Sequence, residues 1–211
     1  MKTLFLDAGH GAIDPKTKLY TTAPGKMWTH PKGEFHQGST FLEGVSNRAF
    51  CDEIFKEAVS KELEVVKVYH EWKDNSLNSR TNIANVYHTT INEGIYFSMH
   101  SNAINKQDGA SGISIWTSPG TTFSDTLATA IWNGVNEDIA KKYGIKMMIQ
   151  RTDGDPDYEV GFAVLVNSRM PSVLLENLFF DNYNDSLLLM NPEYRKDMAK
   201  SVIKSLTPFL Q

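Results

Sequence analysis

Cysteine occurs once, at Cys51, which excludes a disulfide framework and a thiolate-held metal cluster, so any bound metal must rest on histidine and carboxylate. Surplus positive charge is missing as well. Lysine and arginine number 21 against 25 acids, a net charge of −4, and this lacks the basic footprint that nucleic acid or an anionic membrane surface requires. No window approaches the ~18 uninterrupted apolar residues of a membrane span. The opening Met1-Lys2-Thr3-Leu4-Phe5-Leu6-Asp7 is too short and too quickly acidic for a signal peptide, so export by the general secretory route is not expected. Internal repeats, low-complexity tracts and linker-like stretches are absent too. What remains is globular material: 211 residues, 41% apolar and 11% aromatic, enough for one sizeable core and a single domain.

The apolar run Leu4-Phe5-Leu6 ends at Asp7 and Gly9, and reads as a buried strand opening into a glycine-flanked loop. From about residue 14 to 39 the chain holds Pro15, Pro24, Pro31, Gly25, Gly33 and Gly38 with no apolar period, which predicts a long loop at the edge of an active site. Helical spacing of Val45, Phe50, Ile54 and Ala58 predicts a helix over 43–61. A strand over 63–69, a helix over 77–91 and strands over 94–99 and 112–117 follow. A long helix spans 122–143, stopped by Gly144, then a strand spans 173–178, and Asn191-Pro192 opens a terminal helix through residue 205. Strands alternating with helices predict an α/β fold: one domain with a mostly parallel twisted sheet and helices on both faces. Sites in such sheets sit at the carboxyl ends of the strands.

Four residues stand where such a site needs them. His10 follows the first strand, Glu43 opens the first helix, His100 follows Phe97-Ser98-Met99, and Glu176 interrupts the apolar run Val173–Phe180. An ionised carboxylate in an apolar strand costs several kcal/mol unless paired, ligated or neutralised, so Glu176 calls for a nearby cation. Two imidazoles and one carboxylate match the three protein ligands of a hydrolytic Zn²⁺ site, which leaves the other carboxylate as a base. The four are far apart in sequence, so the fold must bring them together. Simpler roles compete: Thr40-Phe41-Leu42-Glu43 has the pattern of a capping box, and Glu176 can pair with Arg80 or Arg169.

Leu4-Phe5-Leu6-Asp7-Ala8-Gly9-His10-Gly11-Ala12-Ile13-Asp14-Pro15 resembles the opening of the zinc-dependent N-acetylmuramoyl-L-alanine amidases, the amidase_3 family of peptidoglycan hydrolases. Further blocks follow in that family's order: Leu42-Glu43-Gly44-Val45-Ser46-Asn47, Ser79-Arg80-Thr81-Asn82-Ile83-Ala84-Asn85, Phe97-Ser98-Met99-His100-Ser101-Asn102-Ala103 and Met170-Pro171-Ser172-Val173-Leu174-Leu175-Glu176. The resemblance covers almost the whole chain and implies a single catalytic amidase domain over 1–211. It also implies Zn²⁺ held by His10, Glu43 and His100, Glu176 as the catalytic carboxylate, and a peptidoglycan or muropeptide substrate. The bond cut would join the lactyl group of N-acetylmuramic acid to L-alanine of the stem peptide. Departures lie beside the chemistry: Ala12 replaces the usual second glycine, the loop before Glu43 is longer, and Asn177-Leu178 follows Glu176. A zinc peptidase acting within the stem and a non-catalytic wall-binding relative are the alternatives. The site of action implied is the bacterial cell wall, reached as a phage or prophage lysin or after removal of a signal.

Other residues draw blander readings. His70-Glu71 starts like a zinc helix, but Asp74 stands where the second histidine belongs and a strand precedes it, so a solvated strand end is expected. His30 and His36 are expected in a mobile surface role, His88 in a structural one, and Cys51 as a small core residue. Trp116, Trp132 and Phe162 are expected in the core, and Trp28 at the substrate. Asp7 is placed to orient the His10 ring.

Overall fold

The structure is a computed structural model that describes residues 2–22, 24–90, 93–150 and 154–211. Its centre is a sheet of six strands: β1 (Thr3–Ala8), β4 (Val65–Lys67), β5 (Gly94–Asn102), β6 (Ile113–Thr117), β7 (Tyr158–Glu159) and β8 (Ser172–Phe179), in the order β4-β1-β5-β8-β6-β7. The strands β4, β1, β5 and β8 run parallel. The strand β6 lies antiparallel to β8, and β7 is parallel to β6.

Apolar residues on both sides of the central strands explain why both faces are covered. Leu4, Leu6, Phe97, Met99 and Leu175 face one core, packed by α1 (Glu43–Ser60), α3 (Phe123–Val135) and α7 (Pro192–Leu210) through side chains such as Phe50, Leu127 and Val202. Their neighbours Phe5, Tyr96 and Leu174 face a smaller core under α2 (Leu77–Thr90) and α5 (Ala163–Val166). The helix expected over 77–91 is thus present as α2, and its last expected residue, 91, lies outside the described residues.

The helix expected over 122–143 is capped by Thr122, whose hydroxyl accepts from Ser124 N–H while Asp125 returns to the Thr122 N–H. It continues from α3 through a π-helical turn (Asn136–Ala140) into α4 (Lys141–Tyr143), where Gly144 at φ 67° ends it. The short helix α6 (Tyr183–Met190) lies between β8 and α7, and no apolar period marked it in advance.

The segment before Glu43 is more ordered than its composition predicts. It carries β2 (Met27–Thr29), which pairs antiparallel with β3 (Thr40–Leu42), and an isolated bridge between Ile13 and Tyr20. His30 is 2% exposed and bonds Ser186 Oγ at 3.0 Å, and Phe35 is buried against it. The mobile surface role expected for His30 and His36 is therefore corrected: His36 Nδ1 accepts the Leu42 N–H at 2.9 Å, and burial, with Arg195 nearby, pushes its pKa down to about 4. Among the described residues no helix is long and apolar enough to cross a membrane.

Candidate metal centre

The parallel strands β1, β5 and β8 end at one edge of the sheet, and the candidate residues collect there. His10 follows β1 in the left-handed region at φ 64°, a conformation that costs a non-glycine residue of order 1 kcal/mol or more. Two buried guanidinium groups hold the turn: Arg48 and Arg80 donate to the His10 carbonyl at 2.8 and 3.2 Å. Asn47 donates to the carbonyl of Gly9 at 3.2 Å. Gly9 itself is required by close approach, because a Cβ there would lie 2.1 Å from the His100 ring.

Glu43 is the first residue of α1 and is fully buried. Its N–H donates to the Lys26 carbonyl at 3.0 Å, and its carboxylate turns away from the helix end, so the capping-box role is not what it plays. Glu43 Oε1 accepts from Ser101 N–H and Asn47 Nδ2, both at 3.3 Å, and lies 3.1 Å from His100 Nδ1. Glu43 Oε2 lies 3.3 Å from His10 Nε2. The two imidazoles meet edge to face with ring centroids 5.0 Å apart. Burial works against the charge on Glu43, but the two imidazoles beside it outweigh burial and hold the carboxyl well below its usual range. Burial pushes the His10 imidazole down, towards the neutral form that ligates metals.

One donor atom from each of His10, Glu43 and His100 lies within 4.8 Å of the others. His10 Nε2 and Glu43 Oε2 are buried with no hydrogen-bond partner although they face each other. Orphaned polar atoms converging on one point are what a bound cation would satisfy. Two imidazoles with one carboxylate, and an open side, suit Zn²⁺.

Glu176 sits on β8 in register with His100 on β5. Its Oε2 is buried without a partner, and among the described residues it forms no ion pair. Arg80 is committed to Asp7 at 3.1 Å and Asp74 at 2.8 Å. Burial and the Glu43 charge push the Glu176 carboxyl well above its ordinary value, with Lys26 opposing. His10, His100, Glu176 and Lys26 line a cleft of about 190 Å³ whose remaining lining, Phe162, Val164 and Leu174 among it, is apolar.

Several expectations need correction. Asp7 does not orient the His10 ring; it accepts from Arg80 and from Ser98 Oγ at 2.8 Å, and so acts on His10 through the backbone. Phe162, expected in the core, lines the cleft and is 37% exposed. Trp28 is half buried, donates to Gln107 at 2.8 Å, and is not among the cleft-lining residues. His70 Nδ1 accepts the backbone N–H of Trp72 and Lys73, His88 accepts that of Gly94, and Cys51 is buried. The sequence reading missed Lys26 and Asn47. Asn47 stands four residues after Glu43, one helical turn on, and that spacing was the available signal.

The sequence pattern of the Amidase_3 family, described as N-acetylmuramoyl-L-alanine amidase, matches residues 4–208. No curated protein matches the chain by sequence. Among solved structures, an N-acetylmuramoyl-L-alanine amidase from Clostridium difficile 630 superposes with TM-score 0.74 at 22% identity, over 99% of this chain and 96% of that one. The amidase AmiC2 of Nostoc punctiforme gives TM-score 0.74 at 21% identity, over 100% and 97%. Ami1 from Mycobacterium smegmatis gives 0.71 at 17% identity, over 99% and 96%. The match along nearly the whole chain and the shared α/β architecture agree: this chain belongs to the Amidase_3 family of N-acetylmuramoyl-L-alanine amidases.

Proposed function

We propose that the chain is a zinc-dependent peptidoglycan hydrolase acting on the bacterial cell wall, and that it cuts the amide between the lactyl group of N-acetylmuramic acid and L-alanine of the stem. The observation that carries this reading is the convergence of His10, Glu43 and His100 at one sheet edge, with the unpaired Glu176 beside them. His10, Glu43 and His100 would hold the ion. Zn²⁺ there supplies Lewis acidity for the scissile carbonyl and favours deprotonation of water near neutral pH.

The chain's own residues do the rest. Asn47 and the Ser101 N–H fix Glu43 Oε1, so the carboxylate cannot swing away from the imidazoles. Arg48 and Arg80 hold the His10 backbone in its strained turn. Glu176 takes the proton from the attacking water as the new carbon–oxygen bond forms. As the carbon–nitrogen bond breaks, Glu176 passes that proton to the amine of L-alanine. The products are a free lactyl carboxyl on the glycan and a stem peptide with a new amino terminus.

The test is incubation of purified sacculi with the protein, with and without chelator, followed by fragment masses. Free stem peptides beginning at L-alanine, lost on chelation, are expected. Cleavage further along the stem would identify a zinc peptidase, and absence of any cleavage would identify a wall-binding relative.

A further inference from the structure

Lys26 is the single lysine or arginine among the described residues lining the cleft. The root of its side chain is fixed, because its carbonyl accepts the Glu43 N–H at 3.0 Å and the Tyr20 hydroxyl at 3.1 Å. Its ammonium is not. The side chain is 45% exposed, and Nζ stands 3.8 Å from Glu43 Oε2, too far for a hydrogen bond. Of the Glu43 oxygens, Oε1 is already held by Asn47, the Ser101 N–H and His100, and the Lys26 ammonium reaches Oε2 only as a loose ion pair. The loop that presents Lys26 thus places a half-exposed cation, only loosely paired with Glu43, at the mouth of a cleft whose other polar lining is His10, His100 and Glu176.

The chemistry of a muramyl peptide narrows what such a cation can read. On the sugar side of the scissile bond the lactyl carboxyl is consumed in the amide, so that side offers no charge at the reaction centre. On the peptide side the second stem residue is joined onward through its side-chain carboxyl, which leaves its α-carboxylate free unless it is amidated. Two residues of extended chain span at most about 7 Å, which keeps that carboxylate within reach of a lysine head beside the reacting carbonyl.

We propose that Lys26 binds the free α-carboxylate of the second stem residue, so that the stem lies along the Lys26 side of the cleft and acidic stems are preferred over amidated ones. This rests on the amidase reading above. Lys26 is on this view a specificity-determining residue, and the loop preceding Glu43 is what supplies it.

The experiment compares two muramyl peptides that differ only in carrying D-glutamate or D-isoglutamine at that position. The native protein should favour the free acid by about fivefold in kcat/KM, the size of an ion pair in a partly open site. In Lys26→Met the ratio should fall to about one, and Lys26→Arg should retain the preference. A ratio near one in the native protein, or an unchanged ratio in Lys26→Met, would overturn the proposal; an equal loss on both compounds would assign Lys26 to the metal centre instead. Calorimetric binding of the two uncleaved compounds to Glu176→Gln protein, with and without Lys26→Met, should give the same preference and the same loss. If the native protein cleaves neither compound, the amidase reading fails, and the calorimetric ratio still decides the role of Lys26.

Discussion

Glycine at position 9 and glutamate at position 176 do opposite things at the same site: one makes room by having no side chain, the other brings a charge where charge is costly. In Gly9→Ala the new methyl would occupy the place of the His100 ring, so the ring must move. Zinc affinity is expected to fall by about 10–100-fold, as for other disturbances of ligand orientation, with the circular dichroism spectrum kept; a competition titration with a coloured chelator checks this. Glu176→Gln should keep zinc content and fold while turnover drops by several orders of magnitude, measured as peptide release from sacculi; retained lysis would remove Glu176 from the mechanism. Asp157, just before β7, is 2% exposed, and its Oδ2 accepts from Thr117 Oγ1 at 2.5 Å. Burial, with Asp155 close by, pushes its carboxyl up to about 7. A raised acid binds more protons folded than unfolded, so its contribution to stability is fully present below the unfolded value near 4 and is lost as pH rises through about 7. The native protein should therefore lose melting temperature between pH 5 and 8 relative to Asp157→Asn, and parallel curves would contradict the assignment.

Elements position these residues through a few buried polar joints. Arg80, on α2 and 1% exposed, reaches Asp7 on β1, the Ala8 and His10 carbonyls beyond it, and Asp74 in the approach to α2. Removing one partner of a buried pair leaves the other charge uncompensated, so Arg80→Met should cost about 3–5 kcal/mol in denaturant unfolding and loosen the His10 turn. Gly44, the second residue of α1, lets that helix start against Gly11, whose carbonyl would lie 1.8 Å from a Cβ. At this scale the sequence was readable where elements are long: α1 and α2 follow from helical spacing, α7 from its Asn191-Pro192 start, and β1, β5 and β8 from apolar runs. The short pieces β2, β3, β7, α5 and α6 were not, since two to eight residues carry too little period to show, and their order comes from tertiary contacts such as His30 on Ser186.

For the molecule as a whole, a shared ion would tie together β1, α1 and β5, which come from distant parts of the chain. A ligand that binds only the folded state stabilises it by about 2.7 kcal/mol at a hundredfold excess over Kd. Zinc should accordingly raise the melting temperature by about 5–10 °C, chelator should reverse the rise, and Glu43→Ala should not respond. The sequence by itself determined the α/β class, the strand order of chemistry along the chain and the four candidate side chains, because apolar period and residue type are local properties. The structure alone decided that Asp7 serves Arg80, that Glu43 turns inward instead of capping its helix, that Phe162 faces the cleft and that Lys26 stands at its mouth. Those outcomes depend on which side chains meet across the sheet edge, and distances between residues far apart in sequence exist only once the sheet has closed them.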